Sequence, residues 1–581
     1  MTMFGNENLR VMLTTEGTYP FHHGGVSTWC DVLVKRLRNI DFVLYSVMMN
    51  PYVTQKFSLP SSTDLIKVPL WGIEDAAENL QKPFSDIYLT KKITTDRVIE
   101  SEFLPLFRVF IEEILTLDKN AMRFAYALHN MYKYFQQYDY TLSFKSNIIW
   151  EEYKGYIYNI TANEKNGFAV PSIFDLTQSL GWLYRFFTIL NAPLPKINVA
   201  HSAAAAFCGI PCVLSKFEHG TPYLLTEHGV YLREQYLSVS RSDFSPYLKT
   251  FLIRLVHSIV VMNYNLADTV SPVCNYNTRW ERIFGVPSSK INVIYNGVDN
   301  SIFTPAVKNA ANPRPTVVTV ARIDPVKDLI TLIKAAAIVK ESIPDVQFFV
   351  YGIVNVPEYY KECLAMRDQL GLDENSFVFA GHTDDVPSAL KQADVVALSS
   401  ITEAFPYSVV EAMMAGKAIV ATDVGGVAEA LGDCGLIVTP RRHDEYARSL
   451  LTLLKDPELR HTLGEDAHRR ALDYFTIENA VELYMKAYRK LSFRTVQSTT
   501  MLLKQQRLLA EKGYTLLELG FWTDAIEQFK QAIKTVPNSP IVPVLYADIA
   551  RAYAELGKND AANLQLEKAK LITQLAEDQI A

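Results

Sequence analysis

Twice along this chain the residues settle into the same alternation: a short apolar strand, a loop carrying glycine or charge, then an amphipathic helix. The first series opens with "RVMLTT" at 10–15, followed by "EGTYPFHHGGVSTWCDVLVKRL". Gly24 and Gly25 stand immediately before a helical stretch that places Val26, Trp29, Leu33 and Leu37 on one side. "INVAHS", "YLLTEHG", "DTVSPV" and "INVIYNG" continue the strands of this series. The second series starts near 313, where "NPRPTVVTVAR" supplies a proline-rich hinge and then a strand, and runs on through "VQFFVYG", "FVFAG", "DVVALSS", "KAIVATD" and "GLIVT". Strand and helix in strict alternation imply parallel sheets covered on both faces. Two such domains in succession leave a cleft at the carboxyl ends of their strands, where ligands of this architecture bind.

Size agrees, because 581 residues exceed what one hydrophobic core serves. From about 80 to 190 the alternation gives way to aromatic-rich helical sequence, "EFLPLFRVFIEEILTL" and "DLTQSLGWLYRFFTIL", read as an insertion in the first domain. The expected division is 1–305 for the first Rossmann-like domain and 306–480 for the second. A helix and linker follow at 481–499, returning towards the first domain, and 500–581 form an all-α tail. In that tail Gly513, Gly520, Ala525, Phe529, Ala532 and Pro537 fall at tetratricopeptide spacings. Ala550, Tyr553, Gly557, Ala562, Leu566 and Ala569 form a second copy. Two hairpins are fewer than a self-supporting array needs, so the tail is expected to pack on the body or on a protein partner.

Composition narrows the function classes. With 63 acidic and 57 basic residues the net charge is −6, against the basic excess of a nucleic-acid binder. The six cysteines form no CxxC pair, and Cys208 and Cys212 have no second pair to complete a zinc site. The start "MTMFGNENLRVMLTTEG" lacks the basic and apolar regions of a signal peptide, and the longest apolar run, 251–262, is interrupted by Arg254 and His257. A cytoplasmic protein, peripheral to the inner membrane at most through partners, is the expectation.

The chemistry concentrates in "SITEAFPYSVVEAMMAGKAIVATD", 400–423. Glu403 lies in the loop after a strand, Pro406 stands where a helix begins, and Glu411 lies inside that helix. The first turn of a helix offers unpaired N–H groups and partial positive charge, which suit phosphate. A ligand with ribose, diphosphate and sugar in a row fits this spacing. Glu411 would accept ribose hydroxyl protons, the Phe405–Tyr407 amides would face phosphate, and Glu403 would reach the sugar. "VTVARIDPVKDLITL" adds Arg322 at a strand end and Lys327 opening the next helix, a bidentate clamp and a point charge for the diphosphate.

These segments resemble glycosyltransferase family 4, retaining enzymes of the GT-B fold: "EAFPYSVVEAMMAGKAIVATDVGGVAE", "ARIDPVKD", "YNGVD" and "FAGHTDDVPSALKQADVVALSS". "TEGTYPFHHGGVSTWCDVL", "LLTEHGVYLRE" and "YGIVNVPEYYKEC" resemble a narrower group, the PelF-like exopolysaccharide glycosyltransferases, with the tail outside that resemblance. The resemblance implies hexose transfer from a UDP-sugar, UDP-glucose or a UDP-N-acetylhexosamine, to a glycan acceptor hydroxyl with retention. Arg322, Lys327, Glu403 and His228 would be catalytic. Donor binding would fall to Gly24, Gly25, Arg322, Lys327, Glu403, Ala404, Phe405, Pro406, Tyr407 and Glu411. His201, Glu227, Asn296, His382 and Thr383 are secondary candidates, and the glycines of "GGVAE" would serve either the donor or a turn. No cofactor and no metal is expected, in keeping with the lack of any Asp-x-Asp; Asp384–Asp385 reads as a helix start. The tail's expected protein partner is a membrane polysaccharide-export complex. A nucleotide-sugar epimerase, a phosphorylase, and a non-catalytic nucleotide-sugar-binding scaffold that recruits assembly partners through the tail are the alternatives.

Overall fold

The computed structural model describes residues 9–71, 83–305, 313–537 and 539–578. The junction expected at 305/306, the start of the insertion near 80 and the first eight residues of the leaderless N-terminal reading lie outside them. Residues 1–488 form one compact unit and 489–581 another.

The first unit contains two six-stranded parallel sheets. One comprises β1 (Leu9–Glu16), β2 (Ile40–Met48), β3 (Asp64–Pro69), β4 (Val199–Ser202), β5 (Tyr223–Glu227) and β6 (Thr269–Pro272), in the order β3-β2-β1-β4-β5-β6. The other comprises β7 (Thr316–Val320), β8 (Gln347–Tyr351), β9 (Phe377–Gly381), β10 (Val395–Leu398), β11 (Ala418–Thr422) and β12 (Leu436–Val438), ordered β12-β11-β10-β7-β8-β9. Both orders are the doubly wound one, each reversing beside its first strand. The switch points therefore fall between β1 and β4 and between β7 and β10, whose carboxyl ends carry Glu16 to Gly25, His201, Arg322 to Lys327 and Ser399 to Glu403. Strands such as "RVMLTTE" are buried on both faces, which is why they read as apolar runs without alternation.

Two strands of the first sheet, β2 and β3, went unassigned in the sequence reading. "INVIYNG", expected as a strand, makes only the single bridge Val270–Ile291. Its remainder follows the crossing between domains: Val298 N–H donates to the Phe475 carbonyl (2.8 Å), and a Cβ on Gly297 would lie 2.4 Å from the Thr476 carbonyl oxygen. The insertion is helical from Phe84 to Asn191 with a core of tilted and edge-on aromatic rings, among them Phe103, Phe107, Phe110, Phe135 and Phe144.

The division between the two units, 488/489, falls within the segment 481–499, which is helical throughout. One helix runs from Ile477 to Glu518, uninterrupted by glycine or proline until Gly513. Its first turns belong to the body, where Tyr484 and Tyr488 are wholly buried. The second unit consists of two helical hairpins, the end of that helix with Trp522–Thr535, then Val542–Glu555 with Asn559–Asp578. Gly520 and Gly557 close the two turns with φ of 77° and 71°, where a side chain would be strained. Gly513 lets Phe529 approach to 2.5 Å of where a Cβ would stand.

Candidate functional site

Lys327 and Glu403 meet directly, Nζ to Oε1 at 2.5 Å, with side chains 17% and 12% exposed. Each is held by its own loop. Asp324 accepts from Val326 N–H (3.1 Å) and from Asn355 Nδ2 (2.6 Å), bending the chain into a single 3₁₀ turn, Pro325–Lys327. Lys327 thus precedes the helix Leu329–Ser342 rather than opening it as expected; the N-cap is Asp328, in left-handed conformation. The loop after β10 docks onto this turn through Ser399 Oγ to the Lys327 carbonyl (2.8 Å) and Ile401 N–H to the Val326 carbonyl (2.9 Å). Ser400 Oγ donates to the same Glu403 oxygen (2.6 Å). Arg322, two residues beyond β7, is exposed and has no hydrogen-bond or ion-pair partner among the described residues.

The helix Tyr407–Met414 begins one residue after Pro406, its N-cap. Val409 and Val410 N–H both return to the Pro406 carbonyl, which leaves the Tyr407 and Ser408 amides of the first turn for a ligand. Glu411 is half-buried on this helix, and burial raises its carboxyl to about 7. The Phe405 ring turns inward, 5.4 Å from Tyr295 and 5.3 Å from Phe475, so it supports the loop and presents no ring to the cleft. The Ala404 carbonyl accepts from Gly426 N–H (2.7 Å) and from the Cys274 thiol (3.4 Å).

That contact explains "GGVAE". A Cβ on Gly425, at φ 59°, would fall 1.7 Å from the Glu403 carbonyl oxygen. The glycines therefore serve close packing beneath the glutamate loop. Glu429 clamps the other domain, accepting from Asn275 N–H (2.8 Å), Tyr276 N–H (3.0 Å) and Tyr295 hydroxyl (2.7 Å). Arg233 to Thr402 Oγ1 (2.9 Å) is a further crossing.

From the first domain, the exposed Gly24 and Gly25 open the helix Gly25–Arg36 against the second domain. A Cβ on Gly25 would stand 3.3 Å from Tyr407 Cδ2, so the two helix mouths face one another. His228 follows β5, with Nε2 closed to solvent and unpartnered among the described residues. Burial lowers its ring to about 3, which makes it a neutral imidazole.

Other sequence candidates lie elsewhere. His201 is wholly buried with both ring nitrogens satisfied, by Tyr488 hydroxyl (2.7 Å) and Thr226 Oγ1 (2.8 Å). Glu227 is buried near Glu281, and burial raises both carboxyls. Asn296 is buried at the domain crossing. His382 is exposed and pairs with Asp384 (3.0 Å) beyond the edge strand β9, Thr383 Oγ1 accepts from Asp385 N–H, and Asp385 caps the helix Val386–Lys391. The sequence reading missed Glu16, at the end of β1, which accepts from Tyr231 hydroxyl (2.9 Å) and Cys208 N–H (3.2 Å) and so ties the His228 loop to the switch point. Its position at a strand end before glycine was the available signal. Among the described residues no group of three or more His, Cys, Asp or Glu is arranged to hold a metal ion. None of the searched helices is long and apolar enough to cross a membrane.

Comparison with known proteins gives two family matches. Residues 9–289 match a domain of unknown function, DUF3492, and residues 301–470 match glycosyl transferases group 1. Among curated relatives, the D-inositol 3-phosphate glycosyltransferase of Rhodococcus opacus is 28% identical over 36% of this chain and 50% of its own length. The MMP alpha-(1->4)-mannosyltransferase of Mycolicibacterium hassiacum is 25% identical over 56% and 76%. The chain spans half or less of the length of the first two relatives matched, 50% and 43%. Among solved structures, sucrose-phosphate synthase from Thermosynechococcus elongatus superposes with a TM-score of 0.53 at 16% identity, covering 83% of this chain and 99% of that one. Anabaena HepE in complex with UDP and glucose does so with 0.50 at 16% identity, covering 83% and 99%. The chain thus combines a GT-B fold with a domain, at residues 301–470, that matches the glycosyl transferases group 1 family.

Proposed function

We propose that the protein is a retaining glycosyltransferase of the family 4 type, moving a hexose from a UDP-sugar to a hydroxyl of a glycan acceptor. The observation that carries this reading is the Lys327–Glu403 pair in the loops before the helix Tyr407–Met414, whose first residue, Tyr407, packs against Gly25 of the other domain. Arg322, Lys327 and the first-turn amides would hold the diphosphate, Glu411 the ribose and Glu403 the sugar. The names of the curated relatives and the UDP in the HepE structure support it.

The chemistry follows from charge. As the bond from the anomeric carbon to the diphosphate oxygen breaks, negative charge builds on the leaving group beside Lys327 and Arg322, and positive charge builds on the sugar. Preorganised cations and amides stabilise that leaving group without reorganising. The acceptor hydroxyl enters on the face the diphosphate leaves, and a phosphate oxygen takes its proton, so configuration is retained. These residues do this work without a metal. Exopolysaccharide synthesis at the cytoplasmic side of a membrane, with the helical hairpins recruiting a protein partner, completes the proposal.

Incubation with UDP-glucose, UDP-N-acetylhexosamines and a glycan acceptor tests it. Free UDP with a lengthened, α-linked glycan is expected. An isomerised donor would indicate an epimerase, a sugar phosphate a phosphorylase, and binding without turnover a scaffold.

A further inference from the structure

Trp29 lies one turn inside the helix that starts at Gly25, 3% exposed. Its ring stands edge-on to three others: His228 at 4.5 Å and 72°, His201 at 5.4 Å and 87°, and Tyr484 at 5.5 Å and 68°. Of these, the His228 contact is the shortest, and His228 Nε2 is closed to solvent without a hydrogen-bond partner among the described residues, whereas the indole has the Tyr484 hydroxyl beside it. An unpaired polar atom in a buried spot is costly unless something else uses it.

We propose that Trp29 is a positioning residue for His228: the indole fixes the imidazole edge-on and shuts water away from it, leaving Nε2 as a bare hydrogen-bonding atom for a hydroxyl of the transferred sugar. This rests on the reading of His228 as a donor-side group. It also links the two halves of the first-domain site, because one helix carries both Gly25 at its mouth and Trp29 behind the histidine.

The physical purpose is charge control. The sugar becomes positive as the diphosphate departs, so an imidazolium beside it would oppose the reaction, whereas a neutral ring hydrogen-bonds without adding charge. Burial pushes the neighbouring groups towards their uncharged forms: His201 is itself neutral, Cys30 and Tyr484 are pushed upward, and so are the carboxyls of Glu227, before His228, and of Glu234, whose Oε1 lies 2.3 Å from where a Cβ on Gly229 would stand. Burial alone keeps His228 neutral, so letting water in restores its ordinary titration near 6.5.

The test uses full-length protein with ¹³C-labelled histidine rings, and His228→Ala to assign the signal. In the wild type that signal is expected to stay neutral down to pH 5. In Trp29→Leu it is expected to titrate between about 5 and 6.5. In Trp29→Phe, which keeps a ring edge and offers a second variant should leucine not fold, it stays neutral. A wild-type signal titrating near 6.5, or one that stays neutral in Trp29→Leu, overturns the proposal. With UDP-glucose as probe and UDP release as readout, Trp29→Leu is expected to gain an acid limb. Its kcat would fall about tenfold more at pH 5.5 than at pH 8 with KM little changed. An equal loss at every pH would mean that Trp29 only supports the fold. Full activity of His228→Ala would instead count against the donor-side reading, leaving the Trp29–His228 titration result standing.

Discussion

Replacing Lys327 by alanine separates two roles that the proposed function gives to one ammonium. In the proposed catalysis, it is one preorganised group that stabilises the leaving diphosphate. Losing such a group costs roughly 3–4 kcal/mol at the transition state, or about 10²–10³ in rate. In the fold, it is the partner of Glu403 at 2.5 Å. Breaking a fully buried pair costs about 3–5 kcal/mol. Here both side chains retain some exposure and Ser400 Oγ still donates to the carboxylate at 2.6 Å, so about 1–3 kcal/mol is expected. The double variant Lys327→Ala/Glu403→Gln isolates the stability part, because the amide no longer leaves a buried charge unpaired. It should regain most of the stability in urea unfolding while sugar transfer, followed by UDP release at saturating donor, stays 10²-fold or more below wild type. The catalytic part is read from Lys327→Ala alone, since Glu403 is itself placed at the sugar. Transfer by Lys327→Ala within about threefold of wild type would refute the assignment of the lysine to the diphosphate.

Other expectations follow from single contacts. Because Glu411 titrates near 7 and accepts best as a carboxylate, UDP should bind more tightly at pH 8 than at pH 6, and Glu411→Gln should flatten that dependence in calorimetric titrations. Gly425→Ala places a Cβ 1.7 Å from the Glu403 carbonyl at a positive φ; it should cost about 2–4 kcal/mol in urea unfolding and depress transfer by displacing Glu403. His201 and His228 are neutral in the fold but take up protons when unfolded, since burial lowers both to about 3. The unfolded chain therefore binds more protons below about 6.5, and stability should fall as pH drops from there towards 3, more shallowly in His201→Ala when each slope is measured against its own value at pH 8.

What could be read from residues alone was local. The loop from Ser400 to Asp423 declares itself because strand, Pro406, helix and stop at Gly416 are contiguous, and the seven residues between Glu403 and Glu411 fix their placement on loop and helix. Both parallel sheets were legible from apolar runs separated by glycine- and charge-bearing loops. "FVLYSVMM" passed unassigned because a strand buried on both faces has no alternation to distinguish it from a helical core segment. Whatever depends on partners distant in sequence stayed hidden. Glu429 looked like part of a glycine turn, yet its carboxylate binds residues 134–154 positions away. Trp29 looked like one apolar position of an amphipathic helix, and the neighbours that give it a further role, His228 and Tyr484, come from β5's exit and from the C-terminal helix. That one helix continues through 481–499 was open to reading, since nothing in "VELYMKAYRKLSFRTVQSTT" breaks a helix.

The central claim is that Arg322, Lys327 and Glu411 with one helix mouth hold a nucleoside diphosphate, and thermal unfolding with UDP, GDP and ADP tests it most directly. Saturating UDP, at about a hundredfold its dissociation constant, should stabilise the protein by about 2.7 kcal/mol, and the shift should vanish in Arg322→Ala/Lys327→Ala. A UDP shift that survives that double substitution, or no shift with any of the three nucleotides, would contradict it.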